Sequence, residues 1–132
     1  MQIIYASEPD LPAEAFRDIL IASTLRRPVD DLKRLDRMLR HADIIVTARH
    51  EGRLTGIARA ITDFGYCCYL SDLAVDVAYQ RRGIGKRLIA ETRLRAGEEA
   101  SLLLVAAPAA ENYYPHIGMQ HQPACWVIPR RR

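Results

Sequence analysis

Residues 73–88, LAVDVAYQRRGIGKRL, carry an apolar run through a turn with two glycines and into a helical pattern. The apolar run predicts a strand, and the spacing of Ile84, Leu88 and Ile89 predicts a helix that begins at the glycines. The first amide N–H groups of a helix have no intrahelical partners, and the helix dipole adds partial positive charge there. The junction is therefore a predicted binding site for a phosphate group.

The composition of the turn strengthens this prediction. Gly83 and Gly85 let the backbone approach a ligand closely, because no Cβ intervenes. Arg81, Arg82 and Lys86 add positive charge around the same point, and arginine can bind phosphate through two parallel hydrogen bonds. The spacing fits neither the mononucleotide motif GxxxxGK[ST] nor the three-glycine dinucleotide fingerprint. A different kind of phosphate compound is therefore predicted.

Outward from this junction, the sequence predicts the element order β-α-α-β-β-β-α-β-α-β-β. Strands over 44–48, 54–62 and 66–75 are joined by short loops and predict an antiparallel meander. The third of them is mostly apolar, as expected of a central strand covered on both faces. Residues 101–107, SLLLVAA, predict a buried strand parallel to it, with the helix 84–96 crossing one face of the sheet.

Single residues predict several element boundaries. Pro12 is typical of the start of a first helix, and Asp30 or Asp31 is predicted to cap a second helix. Gly56 indicates a bulge or a close backbone approach within a strand. The segment 119–128 is expected to supply one or two closing strands.

The bulk composition is that of an ordinary globular protein. With 132 residues, 49% of them hydrophobic and 27% charged, the chain predicts a single domain over 1–132. The net charge is only +3, and part of it lies in the terminal residues 130–132, which argues against a nucleic-acid partner. No apolar run reaches the roughly 20 residues that would span a bilayer. Neither a nucleic-acid nor a membrane partner is therefore expected.

The cysteines point to a reducing compartment. The chain has three of them, Cys67, Cys68 and Cys125, an odd number without a CxxC pair. Together with the absence of a signal-peptide pattern at the start, this favours the cytoplasm over a disulfide framework. Cys67 and Cys68 are expected to be buried strand residues, and no metal site is expected.

Two motifs resemble one known family. Residues 80–85, QRRGIG, fit the pattern Gln/Arg-x-x-Gly-x-Gly/Ala and resemble the pyrophosphate-binding segment of the GCN5-related N-acetyltransferase (GNAT) superfamily. The preceding strand 69–75 is similar too, and residues 110–119, AENYYPHIGM, resemble the family pattern Ala-x-x-Phe-Tyr-x-x-x-Gly-Phe. Because the motifs stand in the right order around a predicted strand, the chain is identified as a member.

The resemblance implies a fold and a cosubstrate. The implied fold is α/β, with a mixed central sheet, an antiparallel N-terminal meander, a splayed parallel strand pair and helices on both faces. The implied cosubstrate is acetyl-CoA, with the backbone of Leu73, Ala74 and Val75 pairing with the pantetheine amides. The residues implied to bind its pyrophosphate are Gln80, Arg81, Arg82, Gly83, Ile84, Gly85 and Lys86.

By position, Tyr114 matches the family tyrosine that lies near the coenzyme sulfur. A thiol has a pKa of about 8.5 and a phenol of about 10, so a nearby tyrosine can give its proton to a leaving thiolate. The alternative is a half-buried aromatic without a chemical role, and Tyr113 is expected to be a packing residue. Pro115 disfavours helical geometry in the residue before it, which could displace the Tyr114 hydroxyl. Ala107 also departs from the family, where many members carry asparagine.

The general base is not identified. Asp72, His116 and His121 are candidates, each more often structural than catalytic, and a water relay is equally plausible. The expected mechanism is direct transfer in a ternary complex, with a strand N–H near Ala74 or Val75 stabilising the oxyanion. The cysteines are not expected to form a covalent intermediate.

The acceptor and the assembly stay open. The resemblance implies an amine acceptor, either a small molecule or a peptide. Arg26 and Arg27 either favour an acidic acceptor or, as surface arginines usually do, serve only solubility. Trp126, Val127 and Ile128 indicate either a homodimer interface or a closing core strand. The alternative to an enzyme is a non-catalytic acyl-CoA sensor or interaction module.

Overall fold

Five strands form one mixed sheet in the computed structural model, which describes residues 1–132. The strands are β1 (Ile4–Ser7), β2 (Ile44–His50), β3 (Arg53–Thr62), β4 (Cys67–Val75) and β5 (Ser101–Leu103). The helices are α1 (Ala13–Ser23), α2 (Leu32–Arg40), α3 (Ile84–Ala96) and α4 (Tyr113–His116). Two short 3₁₀ turns, Val77–Tyr79 and Pro108–Ala110, precede α3 and α4.

The strands lie in the order β1-β2-β3-β4-β5. The first four pair antiparallel, whereas β4 and β5 are parallel and are connected by α3. Their ladder is short, running from Cys67–Ser101 to Tyr69–Leu103, and β4 then continues to Val75 without β5 beside it. The predicted antiparallel meander and splayed parallel pair are confirmed.

Helices cover both faces of the sheet. Alternate residues of the strands point to opposite faces, so that Ile44 and Val46 pack in the cluster that contains α3, while Ile45 packs in the cluster that contains α1 and α2. Phe16 and Leu35 are fully buried in this second cluster. The sheet is therefore the middle layer of three.

Two local predictions are confirmed, the cap of α2 and the close backbone approach within β3. Asp31 caps α2, its side chain accepting a hydrogen bond from the Arg34 amide at 3.0 Å. Gly56 lies beside a register shift in the β2–β3 ladder, and a Cβ there would stand 3.1 Å from Leu88 and 3.2 Å from Ile84. The close approach of α3 to the sheet therefore requires glycine at this point.

The end of the sheet differs from the prediction. β5 stops at Leu103 instead of continuing to residue 107, and it is a partly exposed edge strand, not a buried one. β4 is also not covered on both faces, since Cys67 and Tyr69 are exposed. Of the two adjacent cysteines that were predicted to be buried, only Cys68 is. The helices of the α1–α2 layer pack against β3 and the second half of β4, which leaves its first half open.

The closing strands predicted in 119–128 do not form. This segment contains no strand, and Trp126, Val127 and Ile128 are 92%, 81% and 95% exposed. Pro123 and Pro129 lack the amide N–H that a ladder needs, so that only five residues between them are free to pair. A three-residue β5 also offers little edge to pair with.

Candidate functional site

The N-terminus of α3 lies directly after β4 and presents free amides. Gly83 is the N-cap residue with φ +79°, a conformation that residues with a Cβ rarely adopt. The first helical backbone bond runs from the Arg87 amide to the Gly83 carbonyl at 3.0 Å, so that the amides of Ile84 and Gly85 have no backbone acceptor. These two N–H groups lie at the positive end of the helix dipole, where the sequence predicts an anion site.

A third amide of this turn, that of Lys86, lies beside Tyr113. Burial raises the pKa of Tyr113, and the backbone N–H of Lys86 opposes the rise. A Cβ on Gly85 would stand only 2.9 Å from the Tyr113 hydroxyl oxygen, so glycine leaves the room that the tyrosine fills. Tyr113 therefore packs against the first turn of α3.

The side chains predicted to bind phosphate have different surroundings. Arg82 stacks over the Tyr79 ring with 5.6 Å to its centroid. Arg81, in a left-handed conformation at φ +65°, and Lys86 are exposed beside the α3 N-terminus. Gln80 donates through Nε2 to the Val75 carbonyl at 3.1 Å and so braces the turn. The cationic groups therefore surround the amides, while Gln80 holds the backbone.

The gap between β4 and β5 opens next to this helix end. The register of β4 with β3 continues to the pair Gly56–Val75, so one edge of Leu73, Ala74 and Val75 is occupied. The other edge faces no strand, since the pairing with β5 ends at Tyr69. The three residues predicted to bind pantetheine through their backbone are therefore brought to an open edge beside Gly83.

Tyr114 lies in the one-turn helix α4, on the α3 side of the sheet. Its ring packs against the cluster that contains Leu88 and contacts Tyr113 edge to face, with 5.3 Å between the ring centroids. Burial, and to a smaller extent the neighbouring Tyr113, raises the pKa of Tyr114. Pro115 sits within the first turn, where its missing N–H removes no helical bond. Tyr114 therefore keeps the helical geometry that a following proline disfavours.

The candidate bases lie in contrasting places. The side chain of Asp72 is fully buried, and its two oxygens accept hydrogen bonds from Arg27 and Arg59. His116 and His121 are exposed. Asp72 therefore has no open side toward a substrate in this arrangement.

Across the whole chain no group of three or more His, Cys, Asp and Glu side chains is placed to hold a metal ion.

Arg27 and Arg59 were missed by sequence reasoning, which treated Arg27 as a surface residue. The available signal was Asp72 itself, because a carboxylate within an apolar strand needs a buried partner. The sequence did not identify that partner, since Arg27 is 45 residues away from Asp72 along the chain.

None of the helices has both the length and the apolar content that crossing a bilayer requires.

The comparisons with known proteins agree with this geometry. Residues 10–119 match the model of the Acetyltransferase (GNAT) family. An uncharacterized N-acetyltransferase, ycf52, of Gracilaria tenuistipitata var. liui is 28% identical over 102 residues, which are 75% of this chain and 56% of the relative. The chain thus spans little more than half the length of the curated relatives it matches.

Two solved structures share the fold. A probable acetyltransferase of meticillin-resistant Staphylococcus aureus superposes with a TM-score of 0.82 at 20% identity, covering 99% of this chain and 100% of the other. An aminoglycoside N-acetyltransferase, AAC(6')-Iy, solved in complex with CoA, gives 0.74 at 18% identity and covers 99% and 96%. At such identities the likeness shows the fold alone. With the family model matching most of its length, the chain belongs to the GNAT acetyltransferase family.

Proposed function

We propose that this protein transfers the acetyl group of acetyl-CoA to an amine acceptor. The observation that carries the proposal is the meeting of two features at one point. The unpaired edge of β4 past Tyr69 ends beside the free amides of Ile84 and Gly85. An extended amide-bearing chain that ends in a pyrophosphate, as CoA does, matches both features.

The chain's own groups would hold the coenzyme as follows. The backbone of Leu73, Ala74 and Val75 pairs with the pantetheine amides as an added strand would. The amides of Ile84 and Gly85 bind the pyrophosphate, and the exposed cations of Arg81, Arg82 and Lys86 neutralise its charge. The amide of Lys86, the third of this turn, lies beside the Tyr113 hydroxyl, which competes with the coenzyme for it.

In the proposed reaction, a neutral amine attacks the thioester carbonyl. A C–N bond forms, the C–S bond breaks, and a strand N–H near Ala74 or Val75 stabilises the oxyanion. Tyr114 gives its proton to the departing thiolate and regains one from solvent, to which the amine loses its proton. Burial raises the pKa of Tyr114, so the hydroxyl is protonated at neutral pH but holds its proton more tightly than a free phenol, and it gives the proton up only as charge develops on the sulfur.

Removing the proton from the amine carries the largest free-energy cost in this reaction. An alkylammonium has a pKa of about 10.4, so deprotonation near pH 7.4 costs about 4 kcal/mol. Asp72 is held between Arg27 and Arg59 and is not free to accept that proton. A water relay, or an acceptor of lower basicity, fits the site better than a carboxylate base.

The second candidate function is a non-catalytic acyl-CoA sensor. The sequestration of Asp72 favours it, because no free carboxylate on β4 stands ready as a base. Both functions require the same coenzyme site. Only turnover separates them, and release of free CoA thiol in the presence of any amine would exclude the sensor.

The first experiment is the melting temperature with acetyl-CoA, CoA, ATP or NAD, each at about 1 mM. A ligand at 100 times its Kd stabilises the fold by about 2.7 kcal/mol, which raises Tm by several degrees. A shift with acetyl-CoA and CoA alone supports the proposal and leads to an amine screen that monitors thiol release. No shift with either coenzyme refutes it.

A pair of glycine variants makes this experiment specific. Gly83→Ala strains the backbone at φ +79° in the proposed site, whereas Gly52→Ala imposes the same strain at φ +81° in the β2–β3 turn. At neither position would the new Cβ meet another atom within 4 Å. Gly83→Ala is expected to abolish the coenzyme-induced shift, and Gly52→Ala to preserve it.

A further inference from the structure

A buried cluster of three charged groups lies on the α1–α2 face of β4. The Asp72 side chain has no exposed surface, while Arg59 is 7% and Arg27 is 24% exposed. Arg27 Nε donates to one carboxylate oxygen of Asp72 at 2.5 Å, and Arg59 Nε donates to the other. Because Arg59 and Asp72 face each other in the β3–β4 ladder, their pairing belongs to the sheet itself.

Arg27 differs from Arg59 because it comes from outside the sheet. It lies in the loop 24–31, which connects α1 to α2. Besides Asp72, its guanidinium binds the Ser71 carbonyl through Nη2 at 2.8 Å and the Arg26 carbonyl through Nη1 at 2.6 Å. One side chain thus fastens this loop to two consecutive residues of β4.

The point of attachment is the irregular part of β4. The register with β3 shifts between the pairs Arg59–Asp72 and Ala60–Leu70, so that Ser71 is the extra residue of a bulge. Ser71 also stands two residues beyond Tyr69, where the pairing with β5 ends. The loop is therefore tied to β4 where the gap between the two parallel strands opens.

The two faces of this gap differ. On one face lie α3 and Tyr114, the groups to which the proposed function assigns the coenzyme and its sulfur. On the other face stands the 24–31 loop, held by Arg27. Under the proposed function, on which this inference rests, the coenzyme occupies the first face and leaves the second to the amine.

We infer that Arg27 is a positioning residue for the amine acceptor. By holding the 24–31 loop against Ser71 and Asp72, it fixes the wall past which the amine reaches the thioester. None of its hydrogen bonds reaches α3 or a group proposed to bind the coenzyme. Loss of Arg27 therefore affects the amine and spares acetyl-CoA.

The test compares Arg27→Met with Arg49→Met. Arg49 is a matched control, because it also pairs through Nε with a carboxylate, that of Glu8 at 2.8 Å, and is 31% exposed. With an amine that turns over, Arg27→Met is expected to raise the amine KM at least tenfold and to change the acetyl-CoA KM less than twofold. Arg49→Met is expected to change neither constant.

Arg27→Lys sharpens the result and replaces Arg27→Met if that variant does not fold. Lysine keeps the charge beside Asp72 but cannot reproduce the planar fork that also reaches Ser71. An amine KM above that of the wild type, with an acetyl-CoA KM changed less than twofold, supports the inference. An equal rise of both KM values, or an unchanged amine KM, overturns it.

Hydrogen exchange provides a readout that does not depend on turnover. The amides of Val29 and Asp31 are bonded within the loop, to the carbonyls of Arg27 at 2.8 Å and Pro28 at 3.1 Å. Their exchange is expected to accelerate at least tenfold in Arg27→Met and not in Arg49→Met. If no amine turns over in the wild type, the proposed function fails separately, and unchanged exchange at these amides overturns the inference.

Discussion

The two parts of the chain on either side of residue 100 contrast sharply in burial. Every buried residue lies in the first part, and the last of them is Ala96. Residues 101–132 contribute none, although they include β5, α4 and the tail. Nevertheless, two residues of this second part contact the first: Tyr113 lies against the N-terminal turn of α3, and Tyr114 packs on the core beneath it.

The contrast teaches where stability and chemistry reside. The free energy of folding comes from the two clusters of the first part, because buried apolar area is the main stabilising term. The second part is attached by a three-residue parallel ladder and by partly buried side chains that pack on the α3 cluster, namely Leu102, Leu104, Tyr114, Ile117 and Met119. Substitutions of buried residues in the first part should therefore change stability, whereas those of Tyr113 and Tyr114 in the second part should change activity or coenzyme binding with little loss of stability.

The largest effect is expected from Leu88→Ala in the first part. Leu88 is fully buried under Gly56, so truncation leaves a cavity and costs about 2–5 kcal/mol of unfolding free energy. The matched change is Leu103→Ala in β5, where the side chain is 45% exposed and the expected loss is below about 1 kcal/mol. Similar losses for both would remove the contrast.

Urea unfolding of these variants is best followed by far-ultraviolet circular dichroism. The only tryptophan, Trp126, is 92% exposed in the second part and reports little of the core. If fluorescence of Trp126 nevertheless changed together with the dichroism signal, the tail would be packed in solution, contrary to its exposure here.

Tyr114→Phe tests the activity side of the comparison. Removing a proton donor is expected to lower kcat about 10- to 100-fold, with Kd for CoA nearly unchanged, because the ring that packs on the core is retained. Tyr66→Phe is the control, since Tyr66 is 80% exposed in the β3–β4 turn, away from the proposed site. A wild-type kcat in Tyr114→Phe would mean that the thiolate leaves without this hydroxyl.

The sequence predicted the first part better than the second, for a physical reason. The hairpin strands, the α3 helix and its glycine cap follow from local periodicity and from backbone conformations that glycine favours, as Gly83 and Gly97 show with φ of +79° and +93°. The end of β5 and the fate of the tail depend on pairing between distant segments. An apolar residue such as Val127 does not by itself determine whether its segment pairs as a strand.

The candidate site was predictable to the same extent. The amides at Gly83 and the β4 edge follow from the motif, since a strand, a glycine turn and a helix fix the backbone. Side-chain partners over long separations did not follow. The hydrogen bond of Arg27 to Asp72 and the approach of the Tyr113 hydroxyl to Gly85 arise only when loop and helix fold against β4 and α3.

Tyr113→Phe probes the contact between the two parts. Its hydroxyl lies beside the Lys86 amide, at the turn where the pyrophosphate is proposed to bind, and competition for one such amide is worth about 0.5–1.5 kcal/mol. Titration calorimetry is expected to show CoA binding roughly two- to tenfold tighter than in the wild type. Tyr66→Phe, 80% exposed in the β3–β4 turn, is the control. Weaker binding instead would mean that this hydroxyl contacts the coenzyme.

The smallest effect concerns the acid stability of the first part. Backbone N–H groups of Gly65, Cys67 and Tyr66 lower the pKa of Asp63 in the β3–β4 turn from 3.8 to about 2. A pKa that is lower in the folded state stabilises the fold fully above the unfolded value, and this contribution is lost as the pH falls toward about 2.

Asp63→Asn keeps an acceptor oxygen in the turn but removes its titration. The Tm advantage of the wild type over this variant is therefore expected to be constant from pH 7 to about pH 5 and to shrink as the pH falls from about 4 to 2. Glu8, whose pKa is lowered mainly by its hydrogen bond with Arg49, titrates in both proteins and cancels in the difference. Glu98→Gln, at a carboxylate without hydrogen bonds, gives the baseline. A Tm difference that stays constant down to pH 2 would show that the turn amides do not favour the charged carboxylate, and that acid acts on the first part elsewhere.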